Sequence, residues 1–207
     1  MKEYDLYLFD FDGTLFDSKP SMFPIFARGF GVAGVNVTKE EAEEWMHHSL
    51  TESMTMAGIP EEKWQEVADE ILIALDDPEM LALITPFEDA KQTILALLSK
   101  GKKVGIVSNN DSNHIRLALS MHGFDMKLHT IMGSDRFEKG KPNPDPIYAA
   151  LAETGDVPSN SVVYVGDSLQ DVECGNAAGV DAILLDREDS YPDFKGQKIF
   201  GLKSLLF

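Results

Sequence analysis

A single cysteine, Cys174, stands among the 207 residues, so no intramolecular disulfide forms and thiol-ligated metal sites lack ligands, which suits a cytoplasmic protein. Basic residues are scarce: 18 Lys and Arg face 35 Asp and Glu, for a net charge of −17 at pH 7. That balance leaves no basic stripe for nucleic acid or an anionic membrane, so neither is expected as a partner. Long apolar runs are missing too. The first, in MKEYDLYLFD, is too short and too acidic for a secretory h-region, and no 18-residue apolar span follows it. There is no P-loop, because Gly140-Lys141 is followed by Pro142 where Ser or Thr is required. Gly29, Gly31 and Gly34 spell a dinucleotide-like pattern, but after helical rather than strand periodicity, and a turn is the expected reading.

What is present is enough apolar residue, 43%, to bury a full core. Short apolar runs at Tyr4–Phe9, Lys103–Val107, Thr130–Met132, Ser161–Val165 and Ala182–Leu185 have the length and composition of buried parallel strands. Amphipathic helical patterns over Phe87–Leu98, Ser112–Met121, Pro144–Leu151 and Leu169–Ala178 lie between most of them. The alternation predicts an α/β fold, a Rossmann-like parallel sheet with helices on both faces. From Lys19 to Thr85 the periodicity is helical, with segments over Ser21–Phe30, Lys39–His48, Leu50–Met56 and Glu61–Leu75. An ordinary connection there takes about 2 to 6 residues. The expected organisation is therefore a core of residues 1–17 and 85–207, with an inserted all-helical cap over 18–84 that acts as a lid. The tail from Asp186 to Lys198 reads as polar and turn-rich, and GLKSLLF as a short closing helix.

Ligands of open parallel sheets bind beyond the carboxyl ends of the strands. Those ends carry Asp10 and Asp12, then Ser108, Asn109 and Asn110, then Asp167 and Asp171, with Lys141 in the loop FEKGKPNPDP. Two carboxylates about 4 Å apart repel by about 4 kcal/mol at an effective dielectric of about 20, so a cation is expected between them. Carboxylates, a hydroxyl and a lysine form an inventory for phosphate and Mg²⁺. A carboxylate is also able to act as a nucleophile.

The segments DFDGTLFDS, SNN, GKPNP and GDSLQD resemble the four ordered motifs of the haloacid dehalogenase superfamily, in its phosphatase branch, over nearly the whole chain. The helical insert is similar to that of its phosphoglycolate phosphatase-like members. The resemblance implies that Asp10 is the nucleophile and Asp12 the general acid and base. It implies that Ser108 and the Asn109 backbone amide grip the phosphoryl group, with Gly13 and Thr14 shaping the turn off the strand. Lys141 would offset charge on nucleophile and phosphoryl. Mg²⁺ would be held by the Asp10 side chain, the Asp12 main-chain oxygen and Asp167, with Asp171 ordering metal-bound water or Lys141.

The implied reaction is hydrolysis of a small phosphorylated metabolite, by a monomer or homodimer. The acid at Asp12 disfavours dehalogenases and phosphonate hydrolases. Sugar phosphomutases of the β-phosphoglucomutase type typically carry a histidine where Met22 stands, which disfavours them; a binding module without turnover is the remaining alternative. Simpler readings accompany these residues. Ser108–Asp111 could cap the following helix, Asp171 could favour the first turn of its helix, Lys139 is expected in solvent, and Cys174 in packing. His47 and His48 are adjacent, hence on different faces of a helix, with no carboxylate-histidine metal spacing around them; projection from the cap toward substrate is the alternative reading.

Overall fold

The structure, a computed structural model, describes residues 2–45, 48–155 and 157–207. Chain contacts divide it into two compact units, residues 1–17 with 86–207, and residues 18–85. The chain begins in the larger unit with β1 (Leu6–Phe9) and β2 (Phe16–Asp17), then enters the helical unit. There it forms α1 (Lys19–Gly31), α2 (Lys39–Trp45), α3 (Leu50–Met56), α4 (Trp64–Leu75) and α5 (Pro78–Leu81), and β3 (Thr85–Pro86) leads it back. The rest alternates: α6 (Ala90–Ser99), β4 (Lys103–Val107), α7 (Ser112–Met121), β5 (Thr130–Met132), α8 (Asp145–Thr154), β6 (Val162–Gly166), α9 (Leu169–Ala177), β7 (Asp181–Leu185) and β8 (Gln197–Ile199).

Six of these strands form one parallel sheet in the order β5-β4-β1-β6-β7-β8. The expected α/β fold is the observed one. Every residue of β1 and β6 is buried, which explains why they read as continuous apolar runs rather than alternating ones. On one face Leu6, Leu8, Val107, Met132, Ile147, Tyr164 and Cys174 pack together. The position of Cys174 in that core is the expected one, and burial pushes its thiol up to about 12. Because β1 lies between β4 and β6, with Phe9 level with Ile106 and Val165, the residues after these three strands emerge side by side.

The helical unit has its own core of Ile25, Phe26, Phe30, Trp45, Met54, Val67 and Ile71. Gly29 lets α1 approach α4: a Cβ there would lie 2.3 Å from the Ile71 side chain. Gly34 has φ +84° in the turn after α1. Gly34 turns the chain as the sequence suggests, whereas Gly29 and Gly31 lie within α1 rather than in the expected turn. Thr38 starts α2 with Glu41 accepting its N–H at 2.8 Å, and Ser49 and Glu52 cap α3 reciprocally. His48 is exposed; His47 lies outside the described residues.

Among the described residues, the two-residue strands β2 and β3, the short helix α5 and the strand β8 were not expected. The short helix α5 is started by Asp77, whose carboxylate accepts the Glu79 N–H at 2.9 Å. The polar tail contains β8, which extends the sheet beside β7. The crossover is organised by buried Asp186, which accepts from the Ser190 and Tyr191 N–H groups at 2.7 and 3.0 Å and from Lys198 Nζ at 3.1 Å. Two backbone N–H groups and Lys198 satisfy the buried carboxylate, while Glu188, Asp189, Asp193 and Lys195 stay exposed. The GLKSLLF end closes as a 3-10 turn over Leu202–Leu206.

Candidate active site

Asp10 continues the sheet ladder past β1, its N–H donating to Val165 O at 2.9 Å. The chain then turns: Gly13 takes φ +74°, and Leu15 and Phe16 donate back to Phe11 O at 3.0 Å each. Only a residue without a side chain fits at that turn. A Cβ on Gly13 would lie 2.2 Å from Asp167 Oδ2, so the glycine allows two strand ends to meet. Thr14, fully buried, donates its hydroxyl to Asp167 Oδ1 at 3.2 Å.

Lys141 draws three loops together. Its ammonium lies 2.8 Å from Asp10 Oδ1 and 2.7 Å from Asp171 Oδ1, with side-chain exposures of 7% for Lys141 and Asp10 and 1% for Asp171. The loop that presents it is held by Asn109, whose side-chain oxygen accepts the Lys141 N–H at 2.8 Å and whose amide donates to Lys141 O at 3.3 Å. Expected as a backbone contributor, Asn109 therefore uses its side chain to seat the lysine. Lys139 is exposed, as anticipated, and the Lys141–Pro142 bond is cis. Ser108 is buried at the end of β4; its hydroxyl accepts the Asn110 N–H at 3.1 Å, so the turn shapes itself around the side chain.

Asp171 has four partners. Lys141 and the Tyr164 hydroxyl, at 2.9 Å, meet one oxygen; the Ser168 N–H and hydroxyl, at 3.0 and 2.6 Å, meet the other. The Ser168 and Asp171 contacts form a capping box at the start of α9, so one carboxylate both starts the helix and contacts Lys141.

The charge balance shows in the protonation equilibria. Burial drives the Asp10 carboxyl well above the usual carboxylate range despite Lys141, and Asp171, Asp167 and Asp12 add to the rise. Burial, then Asp171, pushes Asp167 up to about 6. Burial works against the Lys141 ammonium, but Asp10 and Asp171 outweigh it and hold it above an ordinary lysine. Asp171 is lowered: burial opposes its charge, and Lys141 and Ser168 overcome that. Burial and Asp171 raise the Tyr164 phenol, which keeps its proton as a donor.

Asp10, Asp167 and Asp171 each offer an oxygen within 4.8 Å of the others, a grouping able to hold a metal ion. The expected carboxylate partners were Asp10 and Asp167, with Asp12 using its main chain. Both Asp171 oxygens are already taken, which leaves Asp10 and Asp167 as the carboxylate donors. The fit to a divalent cation is electrostatic: Lys141 contacts Asp10 and Asp171, while burial, and then neighbouring carboxylates, raise Asp10 and Asp167. Hard oxygen donors suit Mg²⁺.

Sequence reasoning missed three supporting contacts. Asn110 donates its side-chain amide to Asp12 Oδ2 at 3.1 Å, while Asp12 Oδ1 is buried with no hydrogen-bond partner among the described residues. The Tyr164 hydroxyl lies 2.9 Å from both Val107 O and Asp171. Ser168 holds Asp171, and its S-x-x-D spacing was a legible signal.

Residues 7–185 match the family model described as haloacid dehalogenase-like hydrolase. A phosphoglycolate phosphatase of Nitrosococcus oceani is 25% identical, aligned over 100% of this chain and 98% of its own. A pyrophosphatase PpaX of Anoxybacillus flavithermus is 29% identical over 96% of this chain and 95% of its own. Among solved structures, a HAD-superfamily hydrolase of subfamily IA from Geobacter sulfurreducens has a TM-score of 0.74 at 19% identity, covering 99% of this chain and 97% of that one. A Lactobacillus plantarum protein reaches 0.84 at 21% identity, with 99% of each chain covered. No helix among the described residues is long and apolar enough to cross a membrane.

Proposed function

Because the chain belongs to the haloacid dehalogenase-like hydrolase family, we propose that it hydrolyses a small-molecule phosphomonoester through an aspartyl phosphate on Asp10. The observation that carries this reading is the seating of Lys141 Nζ between Asp10 and Asp171 at 2.8 and 2.7 Å, which unites residues from three separate strand ends. An Asp10 carboxylate oxygen attacks phosphorus, the ester P–O bond breaks, and Asp12 gives the leaving oxygen its proton. Asp12 then takes a proton from water, whose oxygen attacks the same phosphorus and releases phosphate and the Asp10 carboxylate. Asn110, which holds Asp12 Oδ2, leaves Oδ1 for this proton traffic.

Ser108, the Asn109 backbone amide and the Gly13-Thr14 turn bind the phosphoryl oxygens, and Lys141 offsets charge on them and on Asp10. Asp10, the Asp12 main-chain oxygen and Asp167 would hold Mg²⁺, which would supply further positive charge to the phosphoryl oxygens. Asp171 keeps Lys141 in place. The relatives named for phosphoglycolate and pyrophosphate hydrolysis put small phosphorylated metabolites first as substrates. A cytoplasmic monomer or homodimer fits that role.

The test is release of phosphate from p-nitrophenyl phosphate, with Mg²⁺ and with EDTA, by the wild type and by Asp10→Asn. The expected result is Mg²⁺-dependent turnover that Asp10→Asn abolishes. Equal rates in the two proteins would sink the proposal and favour the binding module. A panel of phosphoglycolate, pyrophosphate and hexose 1-phosphates then ranks substrates by kcat/KM, and conversion of hexose 1-phosphate to hexose 6-phosphate would identify a mutase.

A further inference from the structure

Arg187 follows β7 in the crossover to β8 and takes no part in the proposed chemistry. Its guanidinium donates to both oxygens of Asp89, at 3.2 and 2.9 Å, and Nη2 also donates to the Thr14 main-chain oxygen at 3.0 Å. The group lies over the Phe87 ring, 4.0 Å from its centroid. Asp89 in turn accepts the Leu202 N–H at 2.7 Å. One planar fork thus joins the loop after β1, the start of the returning chain and the C-terminal turn. Side-chain exposures of 20% for Arg187 and 13% for Asp89 make this a largely desolvated pair rather than a surface one. A lysine, with one compact ammonium, does not reproduce the fork.

The residue it grips is the informative part. The Thr14 carbonyl is held by Arg187, and the Thr14 hydroxyl donates to Asp167 Oδ1. Gly13, immediately before, is the position whose missing side chain admits Asp167. We propose that Arg187 is a positioning residue for the divalent-metal site: it fixes the Thr14 main chain so that the Thr14 hydroxyl orients the Asp167 carboxylate. This rests on the proposed assignment of Asp167 as a metal ligand. Partners behind a metal ligand typically set about 10- to 100-fold of metal affinity, and one acting through an intermediate residue belongs at the lower end.

Mn²⁺ binding, followed by the loss of its free-ion electron paramagnetic resonance signal, tests this without turnover. The proteins are the wild type, Arg187→Met, Arg187→Lys, Thr14→Ala and the double variant Arg187→Met/Thr14→Ala, at a temperature where circular dichroism shows each folded. Arg187→Met and Thr14→Ala should each weaken Mn²⁺ about tenfold. The double variant should be little worse than either, because both act through the same contact. Arg187→Lys keeps the charge against Asp89 and should also lose affinity.

Unchanged Mn²⁺ affinity in a folded Arg187 variant, or losses that multiply in the double variant, would overturn the inference. So would failure of both Arg187 variants to fold, which would mark the clamp as purely structural. Phosphate release by the wild type is measured alongside. Mn²⁺ binding without phosphate release would defeat the phosphatase reading and leave Arg187 testable; no Mn²⁺ binding at all would defeat the metal assignment and this inference together.

Discussion

Asp167 sits where burial and the Asp171 charge push its carboxyl up to about 6, while an unfolded aspartate titrates near about 3.9. The folded chain therefore keeps the proton to higher pH than the unfolded one. Its contribution to stability is fully present below about pH 4 and is lost as pH rises through about 6. Urea unfolding in EDTA should show stability falling over that interval, with the raised Asp10 adding to the fall, and Asp167→Asn should lessen it. Saturating Mg²⁺ should oppose it, since an ion that binds the folded carboxylates stabilises by mass action. A metal-free protein whose stability stays level or climbs between about pH 5 and 7, with no difference from Asp167→Asn, would mean that Asp167 is not desolvated. Asp171, although more deeply buried, contributes nothing to this window, because Lys141 and Ser168 lower it.

At the scale of elements, the crossover from β7 to β8 depends on Asp186. Its carboxylate accepts from two backbone N–H groups and from Lys198, and those bonds overcome burial and lower its pKa. A lowered carboxyl contributes stability above the ordinary carboxylate range, and the contribution disappears as pH falls through its folded value. Asp186→Asn loses the charge that three donors converge on. It should lower the melting temperature at neutral pH and speed amide exchange in Gln197–Ile199 ahead of β1. Unaltered exchange in β8 would show that the strand holds without this hub.

Elements were legible where burial wrote itself into composition. Lys103–Val107, Thr130–Met132 and Ser112–Met121 carry enough apolar residue, or clear enough end signals, for their bounds to be read directly. Gln197–Ile199 has one buried residue in three, so neither alternation nor an apolar run announced it. The candidate site was legible for a similar reason, since Asp10 and Ser108 directly follow, and Asp167 follows by one intervening glycine, strands readable from composition. What supports them was not. Asn110 reaches Asp12 across 98 residues and Arg187 reaches Thr14 across 173, and no local pattern encodes such a pairing. Tyr164 read simply as strand core, because its ring is core and only its hydroxyl does otherwise.

For the whole molecule, the net charge of −17 works against the anionic substrates proposed for it. Lys141 and a bound divalent ion reverse the potential only close by, whereas an approaching phosphate first meets the summed field of 35 acidic residues. Salt weakens the long-range part most. The screening length falls from about 30 Å at 0.01 M to about 8 Å at 0.15 M, longer than a salt-bridge distance but shorter than the molecule. At fixed Mg²⁺, kcat/KM for an aryl phosphate should therefore rise, by about two- to tenfold, as NaCl increases over that range. The change should appear in KM rather than kcat, because encounter is affected and the buried chemistry is not. Circular dichroism at each salt concentration separates this effect from a salt effect on folding, and a viscosity series showing that encounter does not limit the rate would count against it. If kcat/KM instead falls steadily with salt, the acidic surface is arranged so that a positive local field at the mouth of the site governs approach, and net charge is the wrong descriptor for this protein.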